Sequence, residues 1–76
     1  MNLTHFQNIP VGQDFAFHLN GVRILCLRTH EVYISTLLNE DNLKLVNAVV
    51  LEGNGREYCR GGFFYKDNTS MVETFK

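Results

Sequence analysis

The chain has 76 residues, of which 45% are hydrophobic and 20% charged, and its formal net charge at pH 7 is −1. This length allows one domain, residues 1–76, and is too short for a TIM barrel or a complete dinucleotide-binding fold. Since seven basic residues stand against eight acidic ones, the chain lacks the basic excess of dedicated nucleic-acid-binding proteins.

The lack of a recognisable targeting signal and the small number of cysteines indicate a reducing compartment. No apolar run approaches the roughly 20 residues that span a bilayer, and residues 1–10 lack the charged and apolar regions of a signal peptide. We therefore expect a cytoplasmic protein without membrane association. In that setting Cys26 and Cys59 are expected to be small core thiols rather than a disulfide.

The clearest local pattern is a β-hairpin. After a turn at Pro10–Gln13, Asn20-Gly21 separates two alternating segments, Asp14–Leu19 and Val22–Arg28. Asn-Gly is preferred in two-residue type I′ turns because both positions need positive φ. The pairs expected to share one apolar face are Leu19–Val22, Phe17–Ile24 and Phe15–Cys26. The other face is mixed and carries Asp14, Ala16, His18, Arg23, Leu25 and Leu27.

The middle of the chain predicts two further strands. Thr29-His30 is expected to turn the chain into a third strand, Glu31–Ser35. Residues 36–44 contain a polar turn cluster, Asn39–Asn42, and allow at most one short helical turn. Leu45–Glu52 follows as a central strand, since it is apolar on both faces apart from one asparagine.

The last third of the chain predicts a second hairpin. Gly53-Asn54-Gly55 reads as a three-residue loop with Gly55 in the left-handed conformation, which places Glu52 opposite Arg56. The fifth strand runs from Arg56 to about Tyr65, with a bend at Gly61-Gly62, and residues 70–75 could add a short edge strand.

Together these elements predict an all-β domain. We expect a five-stranded, strongly bent antiparallel sheet or a partly open SH3-like barrel.

No pattern in the chain predicts catalysis or a cofactor. The three histidines lack metal-ligand spacing, and the predicted hairpin points Cys26 and His18 to opposite faces. The candidates for a catalytic carboxylate pair mostly flank turns, where solvated charges belong; they are Asp14, Glu31, Glu52, Glu57 and Asp67. We therefore expect no enzyme, no cofactor, no metal site and no small-molecule substrate.

Three consecutive aromatic residues predict an exposed apolar surface. Phe63, Phe64 and Tyr65 cannot all face one core if they lie in a strand, so at least one lies near Leu25 and Leu27 on the far side. Exposed patches of this kind mark protein interfaces. The predicted interface consists of Leu25, Leu27, Phe63, Phe64 and Tyr65, with Arg60 as a polar anchor. Its partner is another protein or a second copy of the chain.

An alternative function is binding of nucleic acid by a small barrel. In this hypothesis Tyr58 or Phe64 stacks on bases. The phosphate contacts would come from Arg23, Arg28, Arg56 and Arg60. The segment Arg60–Tyr65 is loosely similar to the aromatic strand of RRM and cold-shock domains, but Gly62 stands where an aromatic residue would be needed.

Two segments, Ile9–Phe15 and Val46–Gly53, resemble a loose group of short uncharacterised bacterial, plasmid and bacteriophage proteins. That group shares a Pro-x-Gly-x-x-Phe opening and an Asn-Ala-x-x-Leu-x-x-Gly strand. The resemblance implies a small β-rich fold and a phage or mobile-element origin. By analogy with small phage proteins, it also implies binding to a host protein and modulation of that protein.

Overall fold

The computed structural model describes residues 2–36 and 39–75, and the side chains of these residues except 36 and 39–41. Six strands form one antiparallel sheet in the order β1-β6-β2-β3-β4-β5, which confirms the all-β prediction. The strands are β1 Asn2–His5, β2 Asp14–Leu19, β3 Val22–Thr36, β4 Asn39–Glu52, β5 Phe63–Phe64 and β6 Met71–Thr74. One 3-10 helix, Phe6–Asn8, follows β1.

The β2–β3 hairpin has the predicted turn and register. Asn20 and Gly21 have φ angles of 51° and 80°, as a type I′ turn requires. The observed pairs include Leu19–Val22, Phe17–Ile24 and Phe15–Cys26. Before β2, the amide of Gln13 donates to the carbonyl of Pro10 at 3.1 Å, which confirms the turn there.

The predicted turn at Thr29-His30 is wrong, because β3 runs through it. Between the pairs Arg28–Ala48 and Val32–Val46, β3 holds three residues and β4 holds one, so the strand bulges instead of reversing. β4 also begins at Asn39, earlier than predicted. The described part of residues 36–44 is strand, which excludes a helical turn there; residues 37 and 38 lie outside the described residues.

The predicted hairpin after β4 is also wrong. Residues 53–62 form a loop that folds on itself around Asn54, whose side-chain oxygen accepts from the amides of Arg56 and Tyr58 at 2.9 and 3.1 Å. Gly55 has the predicted left-handed φ of 74°, but Glu52 does not pair with Arg56. Because Asn54 satisfies these amides locally, only Phe63–Phe64 remains as strand β5.

The chain's two ends form the other side of the sheet. The expected edge strand at residues 70–75 is instead an interior strand, since β6 pairs with both β1 and β2. The sheet therefore has six strands where five were expected. β1 and β5 lie at its two edges, so the sheet is open and barrel closure is not confirmed.

The hydrophobic core lies on one face of this sheet, which we call the core face. Its strand residues are Phe15, Phe17, Ile24, Cys26, Ala48, Val50, Phe64 and Val72. Three segments outside the main strands cover it: residues 6–13 contribute Phe6 and Ile9, and the 53–62 loop contributes Tyr58. The third segment, residues 65–70, contributes Lys66, whose Nζ lies 3.7 Å from the centroid of the Phe17 ring. Burial lowers the pKa of the Lys66 ammonium group.

We predict that Gly53→Ala destabilises the protein by about 2 kcal/mol or more, because a Cβ atom there would lie 1.6 Å from the Tyr58 carbonyl oxygen. Gly21→Ala is the matched control, since its Cβ would meet open space and only the left-handed φ costs about 1 kcal/mol. Urea denaturation followed by circular dichroism measures both. A smaller loss for Gly53→Ala than for the control would contradict the close approach.

Candidate protein-binding face

The opposite face of the sheet, which we call the second face, carries an apolar row over the central strands. Leu27 pairs with Val49, and Val49 pairs with Phe63 across β3, β4 and β5. Cross-strand partners point to the same side of a sheet, so these three side chains share the face opposite Cys26 and Val50. On β3, β4 and β5, the apolar residues of the second face include Leu25, Leu27, Tyr33, Leu43, Leu45, Val49 and Phe63.

Exposure differs sharply between the two faces. On the core face, Cys26 and Val50 are 0% and 2% exposed, whereas Leu27 and Val49 on the second face are only half-buried. Phe63 is 46% exposed, and the exposed Tyr65 follows it. The side chains that the covering segments bury belong to the core cluster, so the second face is left as an apolar surface.

The second face continues along the far end of the β3–β4 hairpin. Tyr33 pairs with Leu45, and Leu43 lies two residues from Leu45 on the same side of β4. Tyr33 and Leu43 are 67% and 60% exposed. An aromatic and two leucines thus extend the apolar row beyond the body of the sheet.

Of the predicted interface residues, Phe64 belongs to the core. It pairs with Ala48, which turns its ring to the core face, and it is only 8% exposed. Its ring centroid lies 5.1 Å from that of Tyr58 and 5.9 Å from that of Phe17. The alternation argument for three consecutive aromatics therefore holds, but Phe64 is the one that packs inward.

The arginine that was predicted as a polar anchor lies at an open cleft beside Leu25, whose partner Glu52 lines the same cleft. Arg60 is exposed and lines this cleft together with Arg23, Glu52, Gly53 and Gly55. The cleft combines two guanidinium groups with one carboxylate, so Glu52 offsets one of the two positive charges.

Arg28, predicted as a phosphate contact in the alternative hypothesis, holds the N-terminal segment on the core face. Its Nη1 donates to the carbonyls of Phe6, Gln7 and Ile9 at 3.0, 3.2 and 2.6 Å. Its guanidinium also lies 4.5 Å from the centroid of the Phe6 ring. These contacts satisfy carbonyls around the 3-10 helix and leave Arg28 poorly placed for a phosphate.

The other residues of the nucleic-acid hypothesis are dispersed. Tyr58 packs edge-on against Phe17, with 5.2 Å between centroids, and so has little ring surface for a base. Arg23 lies 5.0 Å from the centroid of the Phe75 ring, and Arg56 is exposed in the 53–62 loop. The structure thus brings only Arg23 and Arg60 together.

Sequence reasoning missed a contact between His18 and the buried carboxylate of Glu73 on the second face. His18 Nε2 lies 2.5 Å from Oε1 of Glu73, and Glu73 is buried. The second carboxylate oxygen has no hydrogen-bond partner and lies 3.9 Å from Nη2 of Arg23. No local signal could reveal this pair, because β6 was expected at an edge and not beside β2.

The two thiols are chemically different. Burial raises the pKa of the Cys26 thiol to about 12, so this group stays protonated at neutral pH. Cys59 is exposed, in contrast to the predicted core thiol, and donates to the carbonyl of Arg56 at 3.2 Å. Among the described residues, no three His, Cys, Asp or Glu side chains cluster as metal ligands would.

Comparisons with family models, curated proteins and solved structures gave no match for this chain. The resemblance to short bacterial and phage proteins therefore stays a prediction. In the second motif, the glycine of this chain, Gly53, comes one residue earlier than that group's pattern places it. Within the described residues, no helix has the length and apolar character needed to cross a membrane.

We predict that Arg28→Ala lowers the free energy of unfolding by about 2–3 kcal/mol, because three carbonyls lose their donor and Phe6 loses its cation. Arg56→Ala removes an equal charge from the exposed loop and should change stability by no more than about 0.5 kcal/mol. Urea denaturation compares the two. Equal stabilities would contradict the structural role of Arg28.

We also predict that one thiol of the native protein reacts rapidly with an aromatic disulfide reagent at pH 8, and that unfolding exposes a second. Cys59→Ser should abolish the rapid phase, whereas Cys26 reacts only as fast as the protein opens. Rapid reaction of two thiols in the native protein would contradict the prediction, because it would show that Cys26 is accessible to the reagent.

Proposed function

We propose that this protein is a non-enzymatic protein-binding module that contacts its partner through the second face. The observation that carries this proposal is the apolar row from Leu25 to Phe63, which is half-buried or exposed while the opposite face is packed. A partner that covers these side chains gains free energy in proportion to the apolar area removed from water.

The composition of the second face supports a protein partner. Protein interfaces are enriched in aromatic side chains at their centres and surround them with polar groups. Here Phe63 and Tyr33 supply exposed aromatic rings, with leucines between them. The polar side chains of His18, Arg23 and Glu73 border the row on the β2 side and could set the orientation of a partner through polar contacts.

The cellular setting follows from the sequence and from the resemblance. We propose a cytoplasmic protein of phage or mobile-element origin that binds a host protein and modulates it. The near-neutral charge of −1 is compatible with association through an apolar face, since long-range repulsion or attraction contributes little.

Nucleic-acid binding is the second candidate. It is favoured by the cleft that Arg23 and Arg60 share, where two guanidinium groups could contact one phosphate. Glu52 in the same cleft and the structural role of Arg28 both weaken it. Its signature would be a steep loss of affinity with added salt.

We predict that the tagged protein captures one stoichiometric protein from a bacterial lysate, and that nuclease treatment does not change the capture. Phe63→Glu should abolish capture, because it places a charge in the apolar row of the second face. Val22→Glu is the matched control: Val22 is also exposed, and it pairs with Leu19 on the other side of the sheet.

Mass spectrometry of the eluates separates the possible results. Capture that disappears with nuclease would favour the nucleic-acid candidate. Capture that both variants retain would show that the second face is not the binding surface.

A further inference from the structure

We infer that the protein forms a two-fold symmetric dimer in which the outer edge of β3 pairs with the same edge of a second copy. The contact lies on the arm, defined as residues 29–36 of β3 and 39–47 of β4, and Tyr33 lies on the two-fold axis. This inference goes beyond the proposed function, because it uses an edge of the sheet rather than the second face.

The β3 edge of the arm is open in the described chain. β2 pairs with β3 only as far as Asp14–Leu27, so beyond that point no described strand lies beside β3 on the side away from β4. An isolated two-stranded ribbon is marginally stable in water, and a third and fourth strand would stabilise it. The free amides and carbonyls of such an edge form a template for another strand.

Between the bulge at residues 29–31 and the register shift at Ser35/Thr36, this edge has few of the features that protect natural edges. The segment Glu31–Ser35 has the sequence Glu-Val-Tyr-Ile-Ser, which contains no proline, glycine or lysine and is rich in strand-forming residues. The opposite edge of the arm is contacted near its base. Asn47 pairs its side-chain amide with the backbone N–H and C=O of Lys66 at 2.8 and 3.0 Å, and Lys44 Nζ donates to the Phe63 carbonyl at 3.4 Å.

An antiparallel pair of these edges centred on Tyr33 matches itself. Val32 then lies opposite the second copy's Ile34, and Glu31 lies opposite the second copy's Ser35. The one charged residue of the segment therefore meets a neutral hydroxyl, and no like charges oppose each other. Because the contact is isologous, it closes as a dimer and does not propagate into a fibre.

The accessible surface area is larger than a compact monomer of this mass would have, as expected if a second copy covers a small part of it. The accessible surface is 5195 Å², about 400 Å² above the roughly 4,800 Å² expected for a compact monomer of this mass. The radius of gyration is 12.5 Å, against about 11.4 Å expected for this length. Two such excesses amount to about 800 Å², which is a small interface, so we expect a weak dimer that forms only at high protein concentration.

Such a dimer would enlarge the second face. Cross-strand partners point to the same side of a sheet, so the rings of Tyr33 from both copies would stand together on that face. The apolar rows of the two copies would then join through Leu45, Tyr33 and their counterparts into one surface.

Sedimentation velocity of the purified protein from about 5 to 500 μM tests the inference. We expect the wild type to shift from monomer to dimer over this range. Tyr33→Lys opposes two like charges on the axis and should keep the protein monomeric throughout. Leu43→Lys removes an exposed apolar side chain from β4, away from the axis, and should retain the dimer.

Cross-linking tests the register. In a Cys59→Ser background, Tyr33→Cys places two thiols in a directly opposed pair, whose Cα separation of about 4.5–5.5 Å suits a disulfide. Mild oxidation should give a covalent dimer with Tyr33→Cys and not with Leu43→Cys in the same background.

A wild type that stays monomeric at 500 μM would overturn the inference. A dimer that survives Tyr33→Lys but is lost in Phe63→Glu would overturn it as well, since the second copy would then occupy the second face. The dimer and the proposed function can fail independently. Phe63→Glu should abolish partner capture, whereas its sedimentation should match that of the wild type.

Discussion

The structure depends on the fact that the covering segments of this short chain pack on one face of its sheet, which leaves the other face open over β3, β4 and β5. Residues 6–13 and the 53–62 loop bury Phe6, Ile9 and Tyr58 on the core face. Arg28 fixes the first of these segments by donating to three of its carbonyls. Since the core face takes these covering side chains, apolar residues of the second face stay in contact with water, which is the basis of the proposed function.

The β3–β4 hairpin makes this asymmetry larger. Its strands are longer than any others in the sheet, and they continue past the last residues of β2 and β5. Burial within one chain cannot stabilise such an arm well, because each of its strands has one neighbour. Association with another chain is therefore the simplest way for Tyr33 and Leu43 to lose their contact with water.

Local chemistry decided which parts of the fold were predictable. The Asn20-Gly21 turn sets the register of β2 and β3, and the structure has each predicted pair. Elsewhere the sequence allowed two outcomes. Thr29-His30 can occupy a turn or a bulge, and the side chain of Asn54 satisfies the amides that a hairpin would have paired.

The position of β6 between β1 and β2 depends on contacts between distant parts of the chain, so no local pattern shows it. For the same reason the alternation in residues 63–65 was predictable, whereas the ring that faces the core was not.

The most direct test of a one-sided core is the broadening of methyl NMR signals by a soluble gadolinium chelate, measured on the dilute protein. We expect strong broadening for Leu43 and Leu51 and intermediate broadening for Leu27 and Val49. The methyl groups of Val46, Val50 and Val72 should be almost unaffected, because they lie on the packed side. Equal protection of Val49 and Val50 would contradict this structure, since it would mean that both faces of the sheet are covered.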